Sequence, residues 1–156
     1  SPMEVRTMEK HPPPVRIISP GPCYRRDSDP THSPMFHQVE GFMVDDNITF
    51  GDLKGVLTAF LREFYGPEVK ARFRPSYFPF TEPSIELNAY KEGYGWIEFG
   101  GSGIFRPELT KPLGIKVPVL AWGFGTDRLY MMKAKIDDIR TLCTQDLEYL
   151  RGKEVL

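Results

Sequence analysis

The stretch RRDSDPTHSPMFHQVEG, Arg25 to Gly41, decides how the chain is read. Two arginines, two aspartates, two histidines, a glutamine and a glutamate surround Phe36, the one phenylalanine in the stretch. Residues 23–26 and 36–44 read as two strands joined by a polar loop, a long hairpin. On a strand, side chains alternate between faces, so Phe36, Gln38 and Glu40 share one face while His37 and Val39 take the other. That face offers an aromatic plate, an amide and a carboxylate in a row. The plate can stack on a planar ring, and the amide with the carboxylate can hold an ammonium group. Arg25, on the preceding strand, is suited to bonding a phosphate or carboxylate in a fork. Two other readings stand beside this one. A metal site would need His32, His37 and Glu40 to converge, which regular alternation and the H-x4-H-x2-E spacing disfavour. A solvated polar hairpin without a ligand is the plainest reading.

Outward from the hairpin, the first residues (3–10) read as a helix that HPPP at 11–14 ends, since proline lacks the amide proton. VRII (15–18) reads as a short strand and SPGP (19–22) as a turn. After the hairpin, Thr49 and Asp52 form a capping-box start. Phe50, Leu53, Val56, Leu57, Phe60, Leu61 and Phe64 then recur at helical spacing, a core-facing stripe that Gly66-Pro67 stops. Segments 70–80, 84–90 and 96–101 read as strands bounded by prolines. VPVLAWGFG (117–125) reads as an apolar strand running into a helix from about Thr126 to Lys133, and 136–150 as a last amphipathic helix. Hairpins mixed with helices, without regular βαβ alternation, predict an α/β chain of the α+β type: an antiparallel sheet flanked by helices.

The composition bounds the function. The 156 residues suit a single domain, 1–156, with a substantial core. Twenty basic against twenty-one acidic residues advertise no broad polybasic face. Cys23 and Cys143 lie far apart, outside any C-x-x-C spacing, and read as unpaired thiols of a reducing compartment. No apolar run is long enough for a membrane span and no signal peptide is visible, so the expected location is cytoplasmic. The opening Ser1-Pro2 reads as a cut end, and the chain as a fragment.

Two further stretches carry chemistry. In RPSYFPFTEPSIE (74–86), Phe78 and Phe80 are two apart and share a surface if the strand persists, with Glu82 continuing the parity. Two core phenylalanines are the bland alternative. A lone carboxylate there suits magnesium, an ion that takes oxygen ligands and keeps waters. In AWGFGTDRLYMM (121–132), Gly-x-Gly-x-x-Arg follows an apolar strand and opens a helix; its glycines admit a ligand close to the backbone. A dinucleotide fingerprint wants glycine where Arg128 stands, so a Rossmann reading is poor.

Together these stretches resemble motifs two and three of class II aminoacyl-tRNA synthetases. More narrowly, THSPMFHQVEG, RFRPSYFPFTEPS, GGSGIFRPEL and AWGFGTDRL are similar to the catalytic α subunits of phenylalanyl-tRNA synthetases over nearly the whole chain. The resemblance implies ATP and Mg2+ as cosubstrate and metal, with phenylalanine and its tRNA as the other substrates and a β subunit as partner. Arg25 would meet the α-phosphate of ATP and Arg128 its distal phosphates; these two would be the catalytic residues. His32 would contact the triphosphate, Phe36 would stack on adenine, and Gly125 would complete the ATP site. Gln38 and Glu40 would bind the phenylalanine ammonium group, with Ser1 facing the substrate. Phe78 and Phe80 would pack edge-to-face on its ring, Phe105, Ala121 and Gly123 would finish the pocket, and Glu82 would hold magnesium. Motif one is absent, and Asp27 stands where motif two often has glutamate, so weak or absent activity of the isolated chain is expected. A non-catalytic synthetase-like binding or regulatory module, and a relative charging another amino acid, are the rival readings.

Overall fold

A computed structural model describes residues 1–30, 32–93 and 95–153. Its frame is a six-stranded sheet in the order β1-β2-β6-β5-β4-β3. The strands are β1 (Val15–Tyr24), β2 (Met35–Val44), β3 (Lys70–Pro75), β4 (Thr81–Lys91), β5 (Gly95–Phe105) and β6 (Val119–Gly125). The pairs β3/β4, β4/β5 and β5/β6 are antiparallel, as the hairpin pattern predicts. Helices α1 (Pro2–Lys10), α2 (Phe50–Tyr65), α3 (Pro107–Thr110), α4 (Thr126–Ala134) and α5 (Leu147–Gly152) complete the α+β architecture.

By their internal contacts the residues form two compact units. The first comprises Ser1–Pro20 and Val39–Phe124; the second comprises Gly21–Gln38 and the chain from Gly125 onward. In the first unit, α2 begins as its sequence dictates. Thr49 accepts from the Asp52 N–H, and Asp52 accepts from the Thr49 N–H at 2.7 Å. The Thr49 hydroxyl also donates to Asp52 at 2.6 Å, and this bond, with that from the Thr49 N–H, holds the Asp52 carboxyl below the usual carboxylate range. Leu53, Leu57 and Leu61 are buried from this helix, Phe60 stacks on Phe124 of β6, and Tyr65 packs on Phe99 of β5. Gly66 ends the helix at φ 99°, a conformation glycine adopts without strain. A separate core cluster joins Met8 of α1 to Phe42, Val44, Ile115, Val119 and Ala121. Phe124 stacks on α2 and Ala121, three residues earlier on the same strand, belongs to this cluster. Alternation along β6 therefore gives the sheet one face for α2 and another for α1.

The glycines of β5 decide how closely its neighbours approach. A Cβ on Gly100 would lie 1.8 Å from the Gly123 carbonyl oxygen of β6. On Gly101, the next residue and hence the opposite face, a Cβ would meet the Phe78 ring at 2.4 Å.

Four expectations need correction. SPGP (19–22) is not a turn: β1 runs unbroken to Tyr24 with strict alternation of half-buried and exposed residues. As β1 stands at one end of the strand order, Pro20 and Pro22, two apart, aim their missing donors to the same unpaired side. The 70–80 strand ends at Pro75, and Phe78 forms only an isolated bridge with Thr81. The helix expected over 136–150 is a 3-10 turn at Ile139–Cys143 followed by α5. Asp138 accepts from the Arg140 N–H, and Asp146 accepts from the N–H groups of Glu148 and Tyr149, so each aspartate starts a new short helix instead of continuing one. The first proposed strand of the hairpin stops at Tyr24 rather than 26, although the Arg25 N–H still reaches the Pro34 carbonyl at 2.9 Å.

Two outcomes test this packing. Gly100→Ala should destabilise the protein by about 3 kcal/mol, because the collision is with backbone that has no rotamer to change; equilibrium urea unfolding measures it. Buried Glu4 of α1 is pushed by burial to about 7 from an ordinary 4.5, the Ser1 ammonium opposing the rise. The folded state therefore favours the protonated carboxyl. Its contribution to stability is complete below pH 4.5 and is lost as pH rises to 7, roughly 3 kcal/mol in all. Glu4→Gln should flatten that slope in thermal melts between pH 4.5 and 8.

Candidate active site

The residues singled out for nucleotide binding fall in the second unit. Arg25 leaves β1 and its guanidinium carbon stands 4.2 Å from the centroid of the Phe36 ring on β2, a cation–π stack. Its Nε is 3.8 Å from the Asp27 carboxylate. His32 sits in the hairpin loop, where its Nδ1 lies 2.8 Å from Asp29 Oδ2 and its backbone is bonded to that of Asp29 in both directions. Thr31, beside it in the motif, lies outside the described residues. Cys23 donates its S–H to Gln38 Oε1 at 3.2 Å.

Gly125 closes β6 and caps α4, with no heavy atom within 4 Å of where its Cβ would be. The backbone there is open to a ligand. Asp127 and Arg128 follow in the first turn of α4. The His37 N–H donates to Asp127 Oδ2 at 2.5 Å, and the His37 ring Nδ1 lies 3.2 Å from Oδ1. Thr126 Oγ1 donates to the His37 carbonyl at 3.1 Å. Three bonds thus staple the helix turn that carries Arg128 to the residue between Phe36 and Gln38. His37 does face away from its strand neighbours, as alternation requires, and it is exposed. Its role in holding α4 escapes sequence reasoning, because the partners are ninety positions apart.

The residues singled out for the amino acid, apart from Gln38, fall in the first unit. Glu40 is two residues from Phe42 on β2 and so shares the face of the α1 cluster. Its carboxylate accepts from the Ser1 hydroxyl at 2.8 Å and pairs with the Ser1 ammonium. Gly101 and Gly123 are cross-strand partners, and the Phe78 ring lies against Gly101 on that same face. Ala121 is buried in the core cluster and Phe105 packs half-buried against it. Phe80 does not share a strand surface with Phe78. It sits in the turn before β4, 52% exposed.

Glu82 is exposed, and Arg106 Nη2 donates to its carboxylate at 3.2 Å. Among the described residues no group of three or more His, Cys, Asp or Glu side chains could hold a metal ion. The Glu82 carboxylate is matched here by the Arg106 guanidinium. The convergence of His32, His37 and Glu40 also fails, since His32 turns to Asp29, His37 to Asp127 and Glu40 to Ser1. Both cysteines are free. Among the described residues no helix is long and apolar enough to cross a membrane.

A family model described as "tRNA synthetases class II core domain (F)" matches residues 1–153. Among similar proteins is a phenylalanine–tRNA ligase alpha subunit of Syntrophotalea carbinolica, 48% identical over 97% of this chain and 49% of that protein. Those of a Marinomonas species and of Persephonella marina are 49% and 48% identical, over 97% and 96% of this chain and 48% and 47% of theirs. The chain spans about half the length of the curated relatives it matches.

Removing the staple should show in stability. Asp127→Ala loses the acceptor of two His37 bonds and should cost about 1–2 kcal/mol. Asp127→Asn, which retains one carbonyl oxygen, should recover part of that. Chemical denaturation of the three proteins measures both.

Proposed function

We propose that this chain, which belongs to the class II tRNA synthetase core family and is akin there to phenylalanine–tRNA ligase alpha subunits, is a single catalytic core that activates phenylalanine with ATP and transfers it to tRNA. The observation that carries the reading is the stapled hairpin: Phe36 is an aromatic plate, Arg25 a fork donor beside it, and Arg128 rides on the helix turn that His37 ties to the same strand. An aromatic face with two arginines suits a purine triphosphate, which needs one surface for its base and fixed positive charge for its phosphates.

The chemistry is attack of the phenylalanine carboxylate on the α-phosphate, forming phenylalanyl-adenylate and releasing pyrophosphate. The adenosine at the tRNA terminus then takes the acyl group. No side chain acts as nucleophile, so rate comes from placement and from neutralising phosphate charge. Arg25 holds the α-phosphate and Arg128 the distal ones, with His32 assisting from the loop. Because Arg25 lies on the Phe36 ring, adenine either takes the ring's other face or displaces the guanidinium toward the phosphate. Gln38 and Glu40 hold the substrate ammonium, beside Ser1. Phe78 and Phe80 meet its ring edge-to-face, a geometry that favours aromatic over aliphatic side chains. Phe105, Ala121 and Gly123 bound the pocket, and its small residue at 121 leaves depth for the ring. Magnesium, when bound with ATP, supplies further phosphate neutralisation; Glu82 would serve it only after leaving Arg106. Such a protein works with a β subunit and in the cytoplasm.

The full-length protein with its partner subunit should catalyse phenylalanine-dependent ATP–pyrophosphate exchange; no exchange would leave a non-catalytic module. Glu40→Gln should raise KM for phenylalanine about 10- to 100-fold, as expected on losing a charge-assisted bond, with KM for ATP little changed. Phe36→Ala should show the opposite pattern.

A further inference from the structure

The segment between β3 and β4 has little of its own to hold it. After Pro75 its internal bonds are Thr81 N–H to the Phe78 carbonyl at 3.3 Å and Ser76 N–H to the Ser84 carbonyl at 3.1 Å. Tyr77 and Phe80 are 73% and 52% exposed, so packing does not fix them. Beside the Phe78 ring, which lies against Gly101, the segment is held by Arg106, directly after β5. Its N–H donates to the Phe80 carbonyl at 2.9 Å and its Nε to the Thr81 carbonyl at 3.2 Å. Its Nη2 reaches Glu82 at 3.2 Å, and its Cζ lies 5.7 Å from the Tyr77 ring centroid.

Arg106 is itself well anchored. Phe105, the preceding residue, is the cross-strand partner of Thr81, and Arg106 caps α3. Thr81 is buried and bonded to Ser84 through both its hydroxyl and its carbonyl, at 2.6 and 2.7 Å. The guanidinium thus spans from a rigid strand start at Thr81 to the exposed turn at Tyr77. A planar fork can serve a carbonyl, a carboxylate and a ring face together; a lysine ammonium cannot.

We propose that Arg106 is a positioning residue for amino-acid discrimination: it holds the turn that presents Phe78 and Phe80, and so sets how closely an aromatic substrate ring is gripped. This deepens the function proposed above and rests on it. Arg106 touches neither substrate nor reacting atoms in that scheme, and acts through the turn.

The test is ATP–pyrophosphate exchange by the full-length protein with its partner subunit, comparing wild type, Arg106→Gln and Arg106→Lys with phenylalanine, tyrosine and leucine. Arg106→Gln should raise KM for phenylalanine about tenfold and cut the preference over leucine by a similar factor, while KM for ATP stays within about twofold. Arg106→Lys keeps the charge beside Glu82 but not the fork to Thr81, so it should share the loss of preference; if the glutamine variant does not fold, this one decides. Wild-type KM and preference in both variants would overturn the inference. So would equal rises in KM for ATP and phenylalanine, which mark general loosening. A wild type without phenylalanine-dependent exchange would instead remove the functional reading, and this inference with it.

Discussion

The absence of a Cβ at Gly100 and Gly101 is the constraint on which the first unit depends. At Gly100 it lets β5 and β6 lie so close that the Gly123 carbonyl fills the space a side chain would take. At Gly101, on the opposite face, it makes the hollow into which the Phe78 ring descends. One strand therefore serves the core through one glycine and the candidate pocket through the next. The two demands are met by the simplest chemical means available to a chain, the removal of an atom group, and they are inseparable because the residues are adjacent.

Within each unit, long-range bonds arrange what short-range preferences leave loose. His37, Thr126 and Asp127 fix the start of α4 in the second unit, and Arg106 fixes the turn before β4 in the first. Both devices join a backbone group to a side chain far away in sequence. The first stands at exposed His37 and the second reaches buried Thr81, whereas α2 is held by Leu53, Leu57 and Leu61. Candidate site side chains in each unit thus stand on polar braces, an arrangement suited to the charged substrates proposed for them.

What could be read in the sequence follows from the same distinction. The start of α2 was legible because its capping box is complete within four residues. The antiparallel sheet was legible from hairpins without βαβ alternation, the helix from Thr126 from the apolar strand that runs into it, and the candidate site residues from motifs that resemble a known family. SPGP misled, because whether proline breaks a strand depends on which side of the sheet lacks a neighbour, a fact about β1's place rather than its residues. Residues 136–150 misled, because an amphipathic pattern counts apolar positions and ignores Asp138 and Asp146, whose side chains cap rather than continue. The Phe78–Phe80 parity argument failed at Pro75, and only a structure shows that Phe80 is exposed. The pairs His37–Asp127 and Arg106–Thr81 leave no local pattern at all.

The uninterrupted β1 has one more consequence. The sheet ends on one side at a strand that lacks N–H groups at Pro20 and Pro22, and on the other at β3, whose exposed Lys70 and Arg74 flank Arg72 and whose last residue is Pro75. A foreign strand seeking to extend either margin meets missing donors on one and the long basic side chains of Lys70, Arg72 and Glu86-paired Arg74 on the other. The same residues that made β1 look like a turn therefore disfavour edge-to-edge pairing along that strand.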